Sequence, residues 1–145
     1  MTEIIVALAA DHAGFPLKEK LKSEVESMNI KYIDLGTNDT DPVDYSDYGI
    51  KVAEALVHGS ATRGVVVCGT GIGISIAANR IDSIRAAVCH DATTARLARL
   101  HNDANIISMG ARVIGQEVAK ECLRVFLSTS FEGGERHLRR IVKLG

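Results

Sequence analysis

Apolar and polar positions alternate along this chain between two periods. Short runs of β-formers, too brief for helices, are followed each time by a longer stretch with helical spacing of its apolar residues. The runs predict strands at Ile4–Ala9, Lys31–Asp34, Gly64–Cys68, Arg85–Cys89 and Asn105–Ser108. The stretches predict helices at Phe15–Met28, Ser46–His58, Ile72–Asn79, Ala92–His101, Gly115–Leu127 and Gly133–Lys143. Pro16 suits the first turn of the first helix, where a missing N–H costs nothing. Asp41-Pro42 marks the longer loop, between the second strand and the second helix. Strands alternating with helices in this way predict a parallel sheet with helices on both faces. The expected architecture is a three-layer α/β/α sandwich around a five-stranded parallel, Rossmann-like sheet, with the last helix as a C-terminal helical arm. No linker, repeat or low-complexity tract interrupts it, so residues 1–145 are expected to form a single domain.

Composition narrows the classes. At 145 residues, 46% hydrophobic and 24% charged, the chain is an ordinary globular sequence able to bury a core. A formal net charge of −1 argues against general nucleic-acid binding. No stretch reaches the roughly 20 apolar residues of a membrane span. The first strand begins at Ile4 without a basic leader, which predicts no signal peptide. Cys68, Cys89 and Cys122 are an odd count without metal-ligand spacing, as expected of free thiols in a reducing cytoplasm.

The most informative run is Val65-Val66-Val67-Cys68-Gly69-Thr70-Gly71-Ile72-Gly73-Ile74-Ser75. Its apolar part reads as a strand buried on both faces, and ligands bind where such strands end. Cys68 is either a small hydrophobe closing that strand or a reactive group; its place beside a glycine loop and a helix start favours the thiolate. Cys89 and Cys122 lack such a loop and are assigned to packing. GTGIGIS is neither G-x-G-x-x-G nor a P-loop, since no Lys follows the last glycine. Next to Cys68, the loop is a candidate oxyanion hole. Thr70 and Ser75 serve either as caps or as ligand hydroxyls.

Other strand ends gather Asp11-His12, Cys89-His90-Asp91 and Gly110-Ala111-Arg112. In a parallel sheet these ends share one edge. Asp11 can be a helix cap and His12 a surface residue, and His101-Asn102 can be an ordinary helix end. Arg136 and Arg140, spaced i, i+4, share a helix face that either faces solvent or binds phosphate. With no strand after it, the arginine-bearing arm is free to lie across a second copy.

In order along the chain stand Asp11-His12-Ala-Gly-Phe, Asp44-Tyr45, Cys68-Gly-Thr-Gly-Ile-Gly-Ile-Ser, Ala77-Ala-Asn79, His101-Asn102-Asp103-Ala-Asn105, Gly110-Ala-Arg112 and Glu132-Gly-Gly-Glu-Arg136-His137-Leu-Arg-Arg140. The set resembles the type B ribose-5-phosphate isomerases, within the larger family that includes galactose- and allose-6-phosphate isomerases. The resemblance implies an aldose–ketose isomerase of the pentose phosphate pathway that uses no cofactor and no metal and works through a cis-enediolate. It implies Cys68 as the base moving a proton between C2 and C1, with the Gly69, Gly71, Ile72 and Gly73 amides holding the oxyanion. Thr70 is implied to aid proton movement, and His101, with Asp11 nearby, to open the furanose ring. His12, Arg112, Arg136 and Arg140 are implied as phosphate binders, and Tyr45, Ser75 and Asn102 as further substrate contacts. Some of these would cross a homodimer interface, in a dimer or a tetramer. A branch of the family places its base on a glutamate in the glycine loop; with Cys68 present and no carboxylate there, this chain matches the cysteine branch.

A six-carbon sugar-phosphate isomerase is the nearest alternative. A nucleotide-binding module would use the glycine loop as a phosphate cradle and an acidic residue ending the second strand, a place Asp34 fits. A thiol redox role lacks a C-x-x-C and a resolving cysteine.

Overall fold

A computed structural model describes residues 3–145. It contains β1 (Ile5–Ala10), α1 (Phe15–Ser27), β2 (Lys31–Asp34), α2 (Tyr45–Val57), β3 (Arg63–Cys68), α3 (Ile72–Ala78), β4 (Ala86–Val88), α4 (Ala92–Asn102), β5 (Ile106–Gly110), α5 (Gln116–Ser128) and α6 (Glu135–Leu144). The strands form one parallel sheet in the order β2-β1-β3-β5-β4. The chain crosses from β1 to β2 on one side and then returns to lay β3 on the other. That reversal opens a crevice between the ends of β1 and β3, where ligands bind in such sheets.

β3 lies between β1 and β5, so both of its edges are paired, and helices cover both faces, leaving Val65, Val66 and Val67 fully buried. Its side chains alternate between two cores. Val65 and Val67 join α1, α4 and α5 through Leu21, Ala95, Leu123 and Phe126. Val66 and Cys68 join α2 and α3 through Val52, Ala53 and Ile74. The thiol therefore points to the α3 side, beneath the loop that follows it. Helix α1 buries Leu17, Leu21 and Val25, one helical turn apart, and holds Pro16 in its first turn as predicted.

The predicted elements and their order are those observed; differences lie at the ends. The last helix starts at Glu135 rather than Gly133, because Gly133 has φ +79°, a left-handed value that helical residues do not adopt. β5 continues to Gly110 because that residue pairs with Cys68.

Candidate active site

The sheet has two edges, and the candidate residues divide between them. At the edge where strands end, β3 delivers Cys68 and the chain turns at once through Gly69, Thr70 and Gly71. Gly71 caps α3 with φ +77°, and a Cβ there would lie 2.8 Å from the carbonyl carbon of Met109. Only glycine fits. The turn aims the Gly71 N–H at Cys68 Sγ, 3.1 Å away. Thr70 Oγ1 accepts from the Ile72 N–H at 3.1 Å, so it caps α3 and keeps its own O–H proton for another acceptor. Thr70 is exposed beside the buried sulfur. Among the described residues, the Gly69 and Thr70 amides have no acceptor, leaving two backbone donors free at this turn. Gly73 and Ile74, in the first turn of α3, add N–H groups without an intrahelical partner.

Neighbouring strands complete this edge. Asp11, which follows β1, is buried, donates its N–H to the Val67 carbonyl at 3.2 Å and accepts the Gly14 N–H on Oδ1 at 2.9 Å. It therefore caps the turn into α1. His12 accepts the Val43 N–H on Nδ1 at 3.1 Å, which leaves Nε2 as the atom able to donate to an anion. The Arg112 N–H is tied to the Gly69 carbonyl at 2.9 Å, and its guanidinium lies within 3.2 Å of where a Gly69 Cβ would stand. Tyr45, at the start of α2, lays its ring against Gly73, where a Cβ would come within 2.5 Å of the ring. Ser75 is buried and donates its hydroxyl to the Ile72 carbonyl at 2.7 Å, a bond within the helix.

Ser108, which the sequence does not single out, and His90, one of the strand-end groups, brace this edge. Ser108, fully buried in β5, donates to the Gly71 carbonyl at 2.6 Å and fixes the glycine turn from behind. His90 accepts the Gly110 N–H on Nε2 at 3.0 Å. A lone serine inside Ile106-Ile107-Ser108-Met109 is the visible signal for the first, since a polar side chain in a buried run needs a partner.

The remaining candidates lie elsewhere. Helix α4 runs back from the end of β4 to the start of β5, so His101 and Asn102 stand at the edge where strands begin. At ~3.3 Å per residue, five-residue β5 alone separates the two edges by about 16 Å. The expected nearness of Asp11 to His101 does not hold within one chain. His101 instead stacks on His137, with ring centroids 4.7 Å apart and planes 13° apart. The carbonyl of exposed Asn102 accepts from Arg85 Nε at 3.0 Å. Arg136 and Arg140 are exposed on α6, and neither makes an ion pair among the described residues.

The other two cysteines are packing groups. Burial pushes the thiols of Cys89 and Cys122 up to about 11. The acidic residue that a nucleotide site would need is also committed. Asp34 accepts from Lys18 at 2.6 Å, Lys22 at 2.8 Å and the Gly36 N–H at 2.9 Å. Burial alone would raise its carboxyl, but these bonds outweigh burial and hold it below the usual carboxylate range. Its charge is already matched by two ammonium groups, which ties Asp34 to the fold.

Comparison with known proteins finds sugar-phosphate isomerases. A family profile described as ribose/galactose isomerase matches residues 6–144. Ribose-5-phosphate isomerase B of Escherichia coli is 41% identical over 136 residues, covering 94% of this chain and 91% of that protein. D-erythrulose-4-phosphate isomerase of Pectobacterium atrosepticum is 40% identical over 131 residues, covering 89% of this chain and 86% of that protein. The solved structure of Clostridium thermocellum ribose-5-phosphate isomerase B superposes with a TM-score of 0.96 at 44% identity, over 98% of this chain and 95% of that one.

Proposed function

The chain belongs to the ribose/galactose isomerase family, and from that premise we propose that it interconverts ribose 5-phosphate and ribulose 5-phosphate. One observation carries the chemistry: a cysteine sulfur at the end of β3 accepts a backbone N–H from a glycine turn whose other amides are uncommitted. A thiolate so placed acts as a general base, taking the proton from C2 of the open-chain sugar and returning it to C1. Charge then builds on the substrate oxygens, and the free amides of Gly69 and Thr70 are positioned to receive it. Losing one such donor typically costs about 3 kcal/mol of barrier. The Thr70 hydroxyl, with its proton unspent, moves a proton between the two oxygens.

The second half of the site comes from a second copy. His101 is assigned to furanose-ring opening, and Arg136 and Arg140, bidentate cations without an internal partner, to the phosphate. All three stand at the edge where strands begin, a sheet length from Cys68. A substrate a few ångströms long cannot touch both halves of one chain. A homodimer that sets the α6 edge of one copy against the Cys68 edge of the other completes both sites, with His12 and Arg112 sharing the phosphate. Free thiols and a sugar-phosphate substrate favour a cytoplasmic enzyme of the pentose phosphate pathway.

The test is turnover of ribose 5-phosphate by the purified chain, followed by NMR in D₂O with EDTA present, beside allose 6-phosphate, galactose 6-phosphate and erythrulose 4-phosphate. Ribulose 5-phosphate carrying deuterium at C1 is the expected product. Turnover of another member of the panel in its place keeps the mechanism and changes the substrate, an outcome given weight by the relative named for a four-carbon sugar phosphate. Silence on all four overturns the isomerase reading.

A further inference from the structure

Helix α6 has a single buried residue, and it is a histidine. A helix docked on a core ordinarily buries aliphatic side chains, yet here Leu138, Val142 and Leu144 are exposed while His137 is only 7% exposed. Its Nε2 is buried and has no hydrogen-bond partner among the described residues. The Glu132 carboxylate faces it at 3.7 Å, too far for a hydrogen bond. A buried imidazole nitrogen left in this state is a ligand atom without a ligand.

Its surroundings say which ligand. His101, Glu132 and His137 each offer one donor atom, and the three atoms lie within 4.8 Å of one another. Two imidazoles and a carboxylate are the donor set of an open zinc site, which leaves a fourth position to water. The backbone holds these donors in place. The Glu132 N–H donates to the Leu100 carbonyl at 3.2 Å, which fixes the turn before α6 against the end of α4. Gly133 then reverses the chain at φ +79°.

We propose that His101, Glu132 and His137 form a site for a divalent transition metal of the zinc class, and that the metal inhibits the enzyme. Zinc bonds of about 2.1 Å place tetrahedral ligand atoms roughly 3.4 Å apart, so the widest separation here closes by about 1.4 Å on binding. Rotation of exposed Glu132 and half-buried His101 supplies that movement, separating the two stacked rings so that both nitrogens turn toward the ion. A metal held there occupies a nitrogen of His101 and withdraws it from ring opening. The inhibition rests on the role proposed above for His101; the binding does not.

The experiment is a titration of the purified full chain with Co²⁺, read by visible absorption, alongside inhibition of sugar-phosphate turnover by Zn²⁺. The expected spectrum has the ligand-field bands of a four-coordinate site without the near-ultraviolet charge-transfer band of a thiolate–cobalt bond. It persists in Cys68→Ala. In Glu132→Gln and His137→Asn, cobalt binding weakens at least ~10-fold, since even outer-shell partners of a metal are worth that much. The exposed position of Glu132 keeps its variant informative if the His137 variant fails to fold. Glu132→Gln retains its metal-free turnover and requires at least ~10-fold more Zn²⁺ for half inhibition. Absence of the cobalt spectrum, its loss in Cys68→Ala, or unchanged affinity in Glu132→Gln overturns the site. Binding that follows the variants while turnover is untouched by Zn²⁺ upholds the site, overturns the inhibition and removes His101 from ring opening.

Discussion

The two edges of the sheet treat their reactive groups in opposite ways. Where the strands end, everything is fixed: Ser108 holds Gly71, Gly71 faces Cys68, Asp11 caps the turn into α1, and Val43 fixes the His12 tautomer. Where the strands begin, the candidate groups lack such ties. Among the described residues, Arg136 and Arg140 extend without carboxylate partners, and His101 rests on a histidine whose Nε2 has no hydrogen-bond partner. Preorganised donors suit the chemical step, where reorganisation at the moment of reaction costs rate. Unpaired cations on a helix face suit capture of a phosphate that arrives from elsewhere. On the function proposed above, each edge supplies half of a site that two copies complete.

The largest expected effect strikes the fixed edge. Cys68→Ala lowers kcat by about 10²–10⁴-fold, the usual contribution of general acid–base catalysis, while the thermal midpoint stays near wild type; steady-state kinetics and calorimetry check both halves. A drop in turnover that merely follows unfolding would break the contrast between catalytic and packing cysteines.

Asp34→Asn should show the converse. Lys18 is fully buried, and its shortest ion pair is with Asp34 at 2.6 Å, so removing that charge destabilises the fold by about 3 kcal/mol while kcat of the folded protein is unchanged. Because the Asp34 carboxyl titrates below its usual range, the stability it adds is present above that range and is lost as pH falls through its folded value. Urea unfolding at two pH values checks this.

At the uncommitted edge, Arg136→Ala and Arg140→Ala should each raise KM by about 10-fold or more, the worth of one charge-assisted hydrogen bond. The melting temperature should hardly move, since neither guanidinium supports the fold. A large loss of stability in either variant would mean that these side chains pack against the fold and do not face solvent.

The smallest effect concerns Cys89 and Cys122. With both thiols raised by burial from about 9 to about 11, the folded state holds its protons longer than the unfolded chain. Their contribution to stability is complete below about pH 9 and is lost as pH rises towards 11. At pH 8 a thiol reagent should modify Cys68 well before either of them, a difference mass spectrometry reads directly.

Much of this was legible beforehand. Alternation of short apolar runs with helical spacing specifies the order of elements, and the cysteine–glycine run specifies one half of the site, because strand, turn and ligand loop are contiguous in sequence. What was illegible is non-local. Motif order does not say on which edge a residue falls, and the strand-end rule suited Asp11 and Cys68 but not His101, which rides a helix returning to the opposite edge. Asp34 ends its strand as a ribose-binding acid would, but Lys18 and Lys22 of α1, 16 and 12 residues earlier in the chain, engage it. Ser108 carries no local sign of which group it holds, because its partner, the Gly71 carbonyl, is 37 residues away.

The central claim is that two chains share each site, and subunit complementation tests it most directly. Cys68→Ala and His101→Asn, each inactive alone, are mixed under conditions that exchange subunits. Random pairing makes half of the dimers mixed, each with one intact site of two, so recovery to about a quarter of wild-type turnover is the predicted result. A mixture no more active than its separate components would place Cys68 and His101 in the same chain's site, or outside any common one, and would contradict the account.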